Sequence, residues 1–114
     1  MHELSVCMSL MQQVEGIARE RRAEKVTSIT LSIGPLSGVE PDLLRHAYPV
    51  AAAGTVAEEA ELIMETTPIV VRCGQCDSET TVTPNKLLCG SCGDFRTQVI
   101  SGDELVLMRV ELDR

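Results

Sequence analysis

Four cysteines occur as two Cys-x-x-Cys pairs within one short stretch of the chain, and this spacing is typical of a metal site. The pairs are Cys73/Cys76 and Cys89/Cys92, separated by twelve residues. Four thiolates directed toward one centre complete a tetrahedral shell of the kind that holds structural Zn²⁺. Iron in the same shell is the alternative metal, whereas a thioredoxin-like redox pair does not come in duplicate. A closed shell leaves no position for water, so we expect this metal to stabilise the fold without performing chemistry.

The start of the chain offers a second, smaller set of donors. The sequence begins Met1-His2-Glu3. The α-amine of Met1 and the backbone nitrogen and imidazole of His2 would form two chelate rings, and Glu3 would add a carboxylate or its backbone nitrogen. Nitrogen-rich sites of this kind suit Ni(II) or Cu(II). The other interpretation is a terminal histidine in solvent with no function. We expect the second histidine, His46, to be a surface or half-buried helix residue and not a ligand.

Apolar residues at steps of three and four predict two helices. The first covers residues 4–22 and has Cys7 on its apolar stripe, where a free cysteine is a core residue. The second begins near Pro41, because proline suits the first helical position. Pro49 cannot donate a backbone hydrogen bond, so we expect this helix to kink or stop near Tyr48.

Alternating apolar residues predict three strands. Val26–Ile33 alternates cleanly, Leu62–Thr67 is a second predicted strand, and Val106, Met108, Val110 and Leu112 predict a third. Between the last two strands, the loop from Thr80 to Pro84 fits a two-stranded ribbon closed by a turn. These elements predict an α+β fold in which two helices pack on a three-stranded mixed sheet with an inserted four-cysteine zinc-ribbon domain.

A change in cysteine content and charge balance along the chain predicts the domain boundaries. Residues 70–98 hold four of the five cysteines and balanced charge, so the net charge of −7 lies outside this segment. So short a segment cannot bury enough apolar surface to fold without a cross-link or a metal. We therefore predict a discontinuous α+β domain, residues 1–69 and 99–114, with the zinc-ribbon domain, residues 70–98, inserted in it.

Composition excludes several classes of function. A net charge of −7 repels phosphate, and Tyr48 and Phe95 are the only aromatic residues, so nucleic-acid binding is disfavoured. No apolar stretch is long enough to cross a membrane and no signal peptide is evident, so a cytoplasmic protein is expected. The sequence contains neither a phosphate-binding glycine loop nor a persuasive catalytic triad, which argues against an enzyme. A zinc-ribbon adaptor that binds nucleic acid or a protein partner is the alternative to a metal carrier.

The sequence as a whole resembles the HypA/HybF family of hydrogenase maturation factors, which deliver nickel. The resemblance is carried by residues 1–7, residues 26–40, residues 54–57 and the paired cysteines, in family order over essentially the whole chain. Several relatives carry a histidine directly after a Cys-x-x-Cys pair, whereas this chain has Asp77 and Gly93 there.

The resemblance implies a nickel metallochaperone that is not an enzyme. Nickel would bind at the N-terminus, with His2 as a ligand, Met1 supplying its amine, and Glu3 and Glu40 close to the site; Glu40 also has the position of a helix cap. The implied structural zinc ligands are Cys73, Cys76, Cys89 and Cys92. The implied partners are a nickel-binding GTPase, the accessory protein HypB, and the large subunit of [NiFe]-hydrogenase, with urease served in some organisms.

Overall fold

The computed structural model describes residues 3–114, in which two helices and six strands form. Met1 and His2, the centre of the predicted nickel site, lie outside the described residues. The elements are α1 Glu3–Glu20, β1 Lys25–Ile33, α2 Pro41–Ala52, β2 Glu61–Thr66, β3 Ile69–Cys73, β4 Glu79–Val82, β5 Thr97–Ser101 and β6 Leu105–Asp113. Neither helix of this part of the chain combines the length and apolar character needed to span a bilayer.

The first sheet carries the main hydrophobic core. Its strand order is β2-β1-β6, with β1 parallel to β2 and antiparallel to β6, so the sheet is mixed as predicted. Both helices pack on one face of it, and Cys7 of α1 is completely buried there as expected. Ile29 and Leu31 of β1 and Leu44 of α2 are also fully buried. The predicted α+β class is therefore confirmed.

Strand β6 is present as predicted, but its alternating residues do not share one face. The pairing with β1 shifts between Arg109 and Leu107, which is a β-bulge at Met108. One extra residue turns all following side chains to the opposite face of a strand. Val110 and Leu112 therefore pack against the core, whereas Met108 is 57% exposed.

Helix α2 does not stop near Tyr48, so that part of the expectation of a kink or a stop is wrong. It continues through Pro49 to Ala52. Pro49 lies on the exposed side of the helix. The backbone carbonyl that loses its helical partner there, that of Arg45, belongs to another exposed residue. Water can satisfy such a carbonyl, which lowers the cost of an interior proline.

The second sheet contains the cysteine segment and has three strands, not the expected two. Its order is β4-β3-β5, with both pairs antiparallel. The additional strand is β5, which pairs with β3 from Val70 to Cys73. Sequence alternation in β5 is too short to indicate this partner. The predicted division at residues 69/70 and 98/99 remains a prediction, since β3 and β5 each extend across one of these boundaries.

The two sheets meet where two glycines cross at close range. A Cβ atom on Gly34 would lie 2.2 Å from the carbonyl carbon of Gly102, and one on Gly102 would lie 2.7 Å from the Cα of Ile69. Gly102 also has a φ of +95°, which favours glycine. The Gly34 N–H donates to the Glu104 carbonyl at 2.9 Å, and the Leu36 N–H donates to the Gly102 carbonyl at 2.8 Å. Close backbone packing therefore ties the end of β1 to the base of the second sheet.

Candidate metal centre

The two cysteine pairs converge on one point, as their spacing predicts. The four Sγ atoms lie within 4.8 Å of one another, and the Cys73–Cys92 and Cys76–Cys89 sulfur pairs are each separated by 3.5 Å. These separations exceed a disulfide bond of about 2.05 Å. They approach the spacing of about 3.8 Å that follows from a tetrahedral ion with Zn–S bonds of about 2.3 Å. The cluster can therefore hold a metal ion.

Each cysteine pair forms a turn in which backbone N–H groups point at the first sulfur. Four such contacts, between 3.3 and 3.4 Å long, repeat the same pattern in both pairs. The donors are Gln75 and Cys76 to the Cys73 sulfur, and Ser91 and Cys92 to the Cys89 sulfur. Hydrogen bonds to a thiolate stabilise its charged form, so the turns prepare the sulfurs for a cation.

The ionisation of the thiols reflects these contacts. Backbone N–H groups of Cys76 and Gln75 lower the pKa of Cys73, and those of Cys92 and Ser91 lower the pKa of Cys89 to about 6. The pKa of Cys92 is raised to about 12, because the neighbouring sulfurs together outweigh the lowering effect of the Asp94 N–H. Four adjacent thiolates repel one another, so a bound cation is what would permit all four to ionise.

A residue in the left-handed backbone conformation ends each turn. Asp77 and Gly93, which directly follow the second cysteine of each pair, have φ values of 63° and 74°. Their N–H groups donate to the carbonyls of Cys73 and Cys89 at 3.1 and 2.9 Å. Glycine and aspartate are among the residues that tolerate this conformation best. Asp77 and Gly93 thus suit the backbone conformation that they adopt.

Two arginines near the cluster, Arg72 and Arg96, are paired with carboxylates of the second sheet and its turns. Arg72 contacts Glu79 at 2.7 Å and Asp77 at 3.9 Å, and Arg96 contacts Asp94 at 2.8 Å. Hydrogen bonds from the Arg96 side chain and backbone lower the pKa of Asp94 to about 2, so this carboxylate stays ionised. Local neutralisation leaves these two guanidinium groups poorly suited to phosphate.

The described part of the predicted N-terminal site centres on a buried carboxylate. Glu3 is only 7% exposed, and its Oε2 accepts the backbone N–H of Glu40 at 3.1 Å. Four residues further along both helices, the Cys7 thiol donates to the Leu44 carbonyl at 3.6 Å. Both contacts join residues 37 positions apart, so α1 and α2 run side by side in the same direction. The Glu3 carboxylate therefore faces the start of α2, where negative charge is favoured.

Cys7, which is near Glu3, and Tyr48, which is near Cys7, are held in their neutral forms. Burial first, and then the charge of Glu3, raises the pKa of the Cys7 thiol. Burial also raises the pKa of Tyr48 to about 12, with a further contribution from Cys7. The Tyr48 hydroxyl donates to the Ala57 carbonyl at 2.8 Å. Cys7 and Tyr48 are therefore core residues, and neither offers an anionic ligand at neutral pH.

The remaining predicted residues lie on the surface of α2. Glu40 is the N-cap residue and is exposed, but its own side chain makes no capping hydrogen bond, so its interpretation as a side-chain cap is wrong, whereas the alternative that it complements the helix dipole stays a prediction. His46 is exposed as expected, and its Nδ1 lies 2.7 Å from the Asp42 carbonyl. Sequence reasoning missed the contact between Glu3 and the Glu40 backbone. No local pattern signals a hydrogen bond between residues so far apart in the chain.

Known proteins share both the sequence and the fold. The family model described as "HypA: Hydrogenase/urease nickel incorporation, metallochaperone, hypA" matches residues 1–112. The Hydrogenase maturation factor HypA of Nitrosospira multiformis is 51% identical over 112 residues, which are 98% of this chain and 97% of that protein. The corresponding factor of Aquifex aeolicus is 45% identical over 113 residues, covering 99% and 98% of the two chains.

A solved structure extends the comparison to the fold. The solution structure of the Ni metallochaperone HypA from Helicobacter pylori is similar with a TM-score of 0.74 and 23% identity, covering 99% of this chain and 98% of that one. A second solution structure of a HypA protein is similar with a TM-score of 0.76 and 24% identity, over 98% and 96% of the two chains. The whole-length matches in sequence show that this chain belongs to the HypA family of nickel-incorporation metallochaperones.

Proposed function

We propose that this chain binds Ni(II) at its N-terminus and delivers it to the large subunit of [NiFe]-hydrogenase, with a structural Zn²⁺ in the four-cysteine cluster. The observation that carries the proposal is the match of residues 1–112 to a nickel-incorporation family. In this proposal the chain is a carrier and not a catalyst, so nucleotide-driven release requires a GTPase partner of the HypB type. Because thiolate ligands persist in a reducing compartment, the proposal sets this activity in the cytoplasm.

The chemistry of the donors supports a division between two metals. Four sulfurs within 4.8 Å form a closed soft-ligand shell, which favours a tightly held Zn²⁺ over an exchanging ion. The proposed nickel ligands are the Met1 amine and the nitrogens of His2, near Glu3 and Glu40. Nitrogen donors at a chain terminus exchange their ion more readily, which suits a cargo.

The buried carboxylate of Glu3 anchors the start of α1 next to the proposed nickel site. Its hydrogen bond to the Glu40 N–H fastens the first turn of α1 to the start of α2. The Glu3 carboxylate is therefore held in a defined position beside the Glu40 backbone. In this arrangement the Glu3 side chain positions the nickel site, and its backbone nitrogen is the atom nearest in sequence to the His2 donors.

Metal analysis of protein with a native N-terminus tests the proposal. We expect one Zn²⁺ per chain in the purified protein and one additional Ni²⁺ in a calorimetric titration. His2→Ala should abolish nickel binding and leave the zinc, whereas the matched control His46→Ala should retain both metals. Equal nickel binding by the native protein and His2→Ala would refute the carrier assignment, and loss of both metals together would refute separate sites.

Two further measurements separate the finer parts of the proposal. Copper outranks nickel at most nitrogen sites, so we expect Cu(II) to bind more tightly than Ni(II), with partner docking supplying selectivity. Delivery is tested by maturing a nickel-free hydrogenase large subunit with the loaded chain, a HypB-type GTPase and GTP. Failure of His2→Ala to support maturation is expected, and full activity of this variant would contradict nickel delivery through the N-terminus.

A further inference from the structure

Strand β6 leaves a long outer edge open beside helix α1. It is the last strand of the β2-β1-β6 sheet, and within residues 3–114 no strand pairs with its outer side. Its nine residues carry backbone N–H and C=O groups that a further strand could bond. Two adjoining cavities of about 310 and 320 Å³ lie between α1 and β6, and Leu107 lines both. The edge therefore combines free backbone groups with a groove for side chains.

The groove along this edge is mainly apolar, although Arg21, just after α1, and Arg109 also line the second cavity. Val110 and Leu112 are only half-buried and pack against the hydrophobic core, and Leu10 and Ile17 of α1 line the opposite wall of the two cavities. An added strand with apolar residues at alternating positions would cover this surface. Strand addition of this kind combines main-chain hydrogen bonds with side chains seated in a groove.

The other face of the edge carries opposite charges in alternation. From Arg109 to Asp113 the pairing with β1 shows no extra residue on β6, so Arg109 and Glu111 lie on the same face, opposite Thr30 and Ser28. Both side chains are exposed. Arg109 has no acidic partner among the described residues. Glu111 accepts the Ser28 hydroxyl through Oε1 at 2.6 Å, which leaves its other oxygen available.

We infer that β6 pairs with β6 of a second copy of this chain, antiparallel and centred on Val110, to form a continuous six-stranded sheet. This register places each Arg109 opposite the Glu111 of the other copy, and the two Val110 side chains meet on the groove face. Directly opposed residues of opposite charge stabilise antiparallel strands, whereas like charges destabilise them. The partner is thus selected by the alternation of charge along the edge itself.

Neighbouring registers are disfavoured by the same residues. A slip that centres the pairing on Arg109 places the two arginines opposite each other, and centring on Glu111 opposes the two glutamates. A slip by one residue on one strand would put charged side chains opposite the apolar face. Among these registers, only the one centred on Val110 combines two Arg109–Glu111 pairs with contact between apolar residues.

Charge reversal tests the inference without altering the core. We expect light scattering and sedimentation to show a dimer of the wild-type chain, and we expect Arg109→Glu and Glu111→Arg each to weaken it about tenfold or more. An equimolar mixture of the two variants should form a heterodimer, because both cross-strand pairs become complementary again. Arg45→Glu, the same charge change on the exposed surface of α2, should leave the dimer unchanged.

The outcomes that overturn the inference are equally specific. A monomeric wild-type chain at high protein concentration overturns it, and so does a dimer that Arg109→Glu leaves as tight as Arg45→Glu does. Failure of the mixed variants to associate, while each retains the circular dichroism of the wild type, also overturns it. Association through any other surface would instead leave the Arg109→Glu dimer as tight as the Arg45→Glu dimer.

Discussion

The contact between Glu3 and the Glu40 backbone predicts a measurable loss of stability on substitution of Glu3. The carboxylate is 7% exposed and accepts a 3.1 Å hydrogen bond from the Glu40 N–H. A hydrogen bond to a charged group contributes about 1.5–3 kcal/mol, and a neutral one about 0.5–1.5 kcal/mol. We therefore expect Glu3→Ala to lower the free energy of unfolding by about 2 kcal/mol, and Glu3→Gln, which keeps an acceptor oxygen, by about 1 kcal/mol.

Urea denaturation followed through Tyr48 measures this loss. Tyr48 is the only tyrosine, and the chain has no tryptophan. Because Tyr48 of α2 is part of the hydrophobic core, its fluorescence reports the state of that core. With a urea dependence of about 2 kcal/mol per molar, Glu3→Ala should lower the midpoint by about 1 M. Glu20→Ala, an exposed position at the end of the same helix, is the matched control and should change stability by less than about 0.5 kcal/mol. Equal midpoints for Glu3→Ala and Glu20→Ala would refute the positioning role of Glu3.

Three other perturbations test the fold around the site. Burial raises the pKa of Tyr48 to about 12 in the folded protein, whereas the pKa of an unfolded tyrosine is about 10. The contribution of Tyr48 to the free energy of unfolding is therefore fully present below about pH 10 and is lost as the pH rises toward about 12. Ultraviolet titration should show no tyrosinate near about pH 10 in the folded protein. Gly102→Ala should lower the free energy of unfolding by about 2–3 kcal/mol, because a Cβ would lie 2.7 Å from the Ile69 Cα and φ is +95°. Gly16→Ala should raise the free energy of unfolding by about 0.5–1 kcal/mol in the same denaturation assay, because a Cβ at this helical position meets nothing within 4 Å. Removing the metal with a chelator should abolish dispersed NMR signals for residues 69–101 and preserve those of the helix–sheet core, because the buried cluster formed by the helices and the first sheet contains no residue of that segment; loss of both sets together would contradict this independence.

The parts of the molecule that the sequence predicts correctly depend on local patterns. Two residues between cysteines produce the same turn twice, so the four-sulfur cluster follows from spacing once the chain brings the pairs together. Strand β1 follows from alternation of Ile29, Leu31 and Ile33, all of which are buried. The start of α2 at Pro41 follows from the fixed φ of proline. Each of these signals lies within a few residues.

The parts that the sequence does not predict depend on distant partners. The bulge at Met108 is defined only by the pairing of β6 with β1, and β5 is a strand only because β3 lies beside it. The hydrogen bond from the Glu40 N–H to Glu3 depends on how two helices are placed together. Pro49 is accommodated because its side of α2 is exposed, which is a property of the packed structure.

The insertion of the cysteine segment between β2 and β6 has a consequence for how the chain reaches its folded state. Strand β6 pairs with β1 although residues 67–104 separate it from β2 in the sequence. The entropy lost on closing so long a loop slows the pairing of β6 with β1. In the folded segment the Ser101 hydroxyl donates to the Pro68 carbonyl at 3.0 Å, so both ends of this loop are already adjacent. Metal loading of the segment before β6 pairs would therefore shorten the effective loop and accelerate completion of the distant sheet.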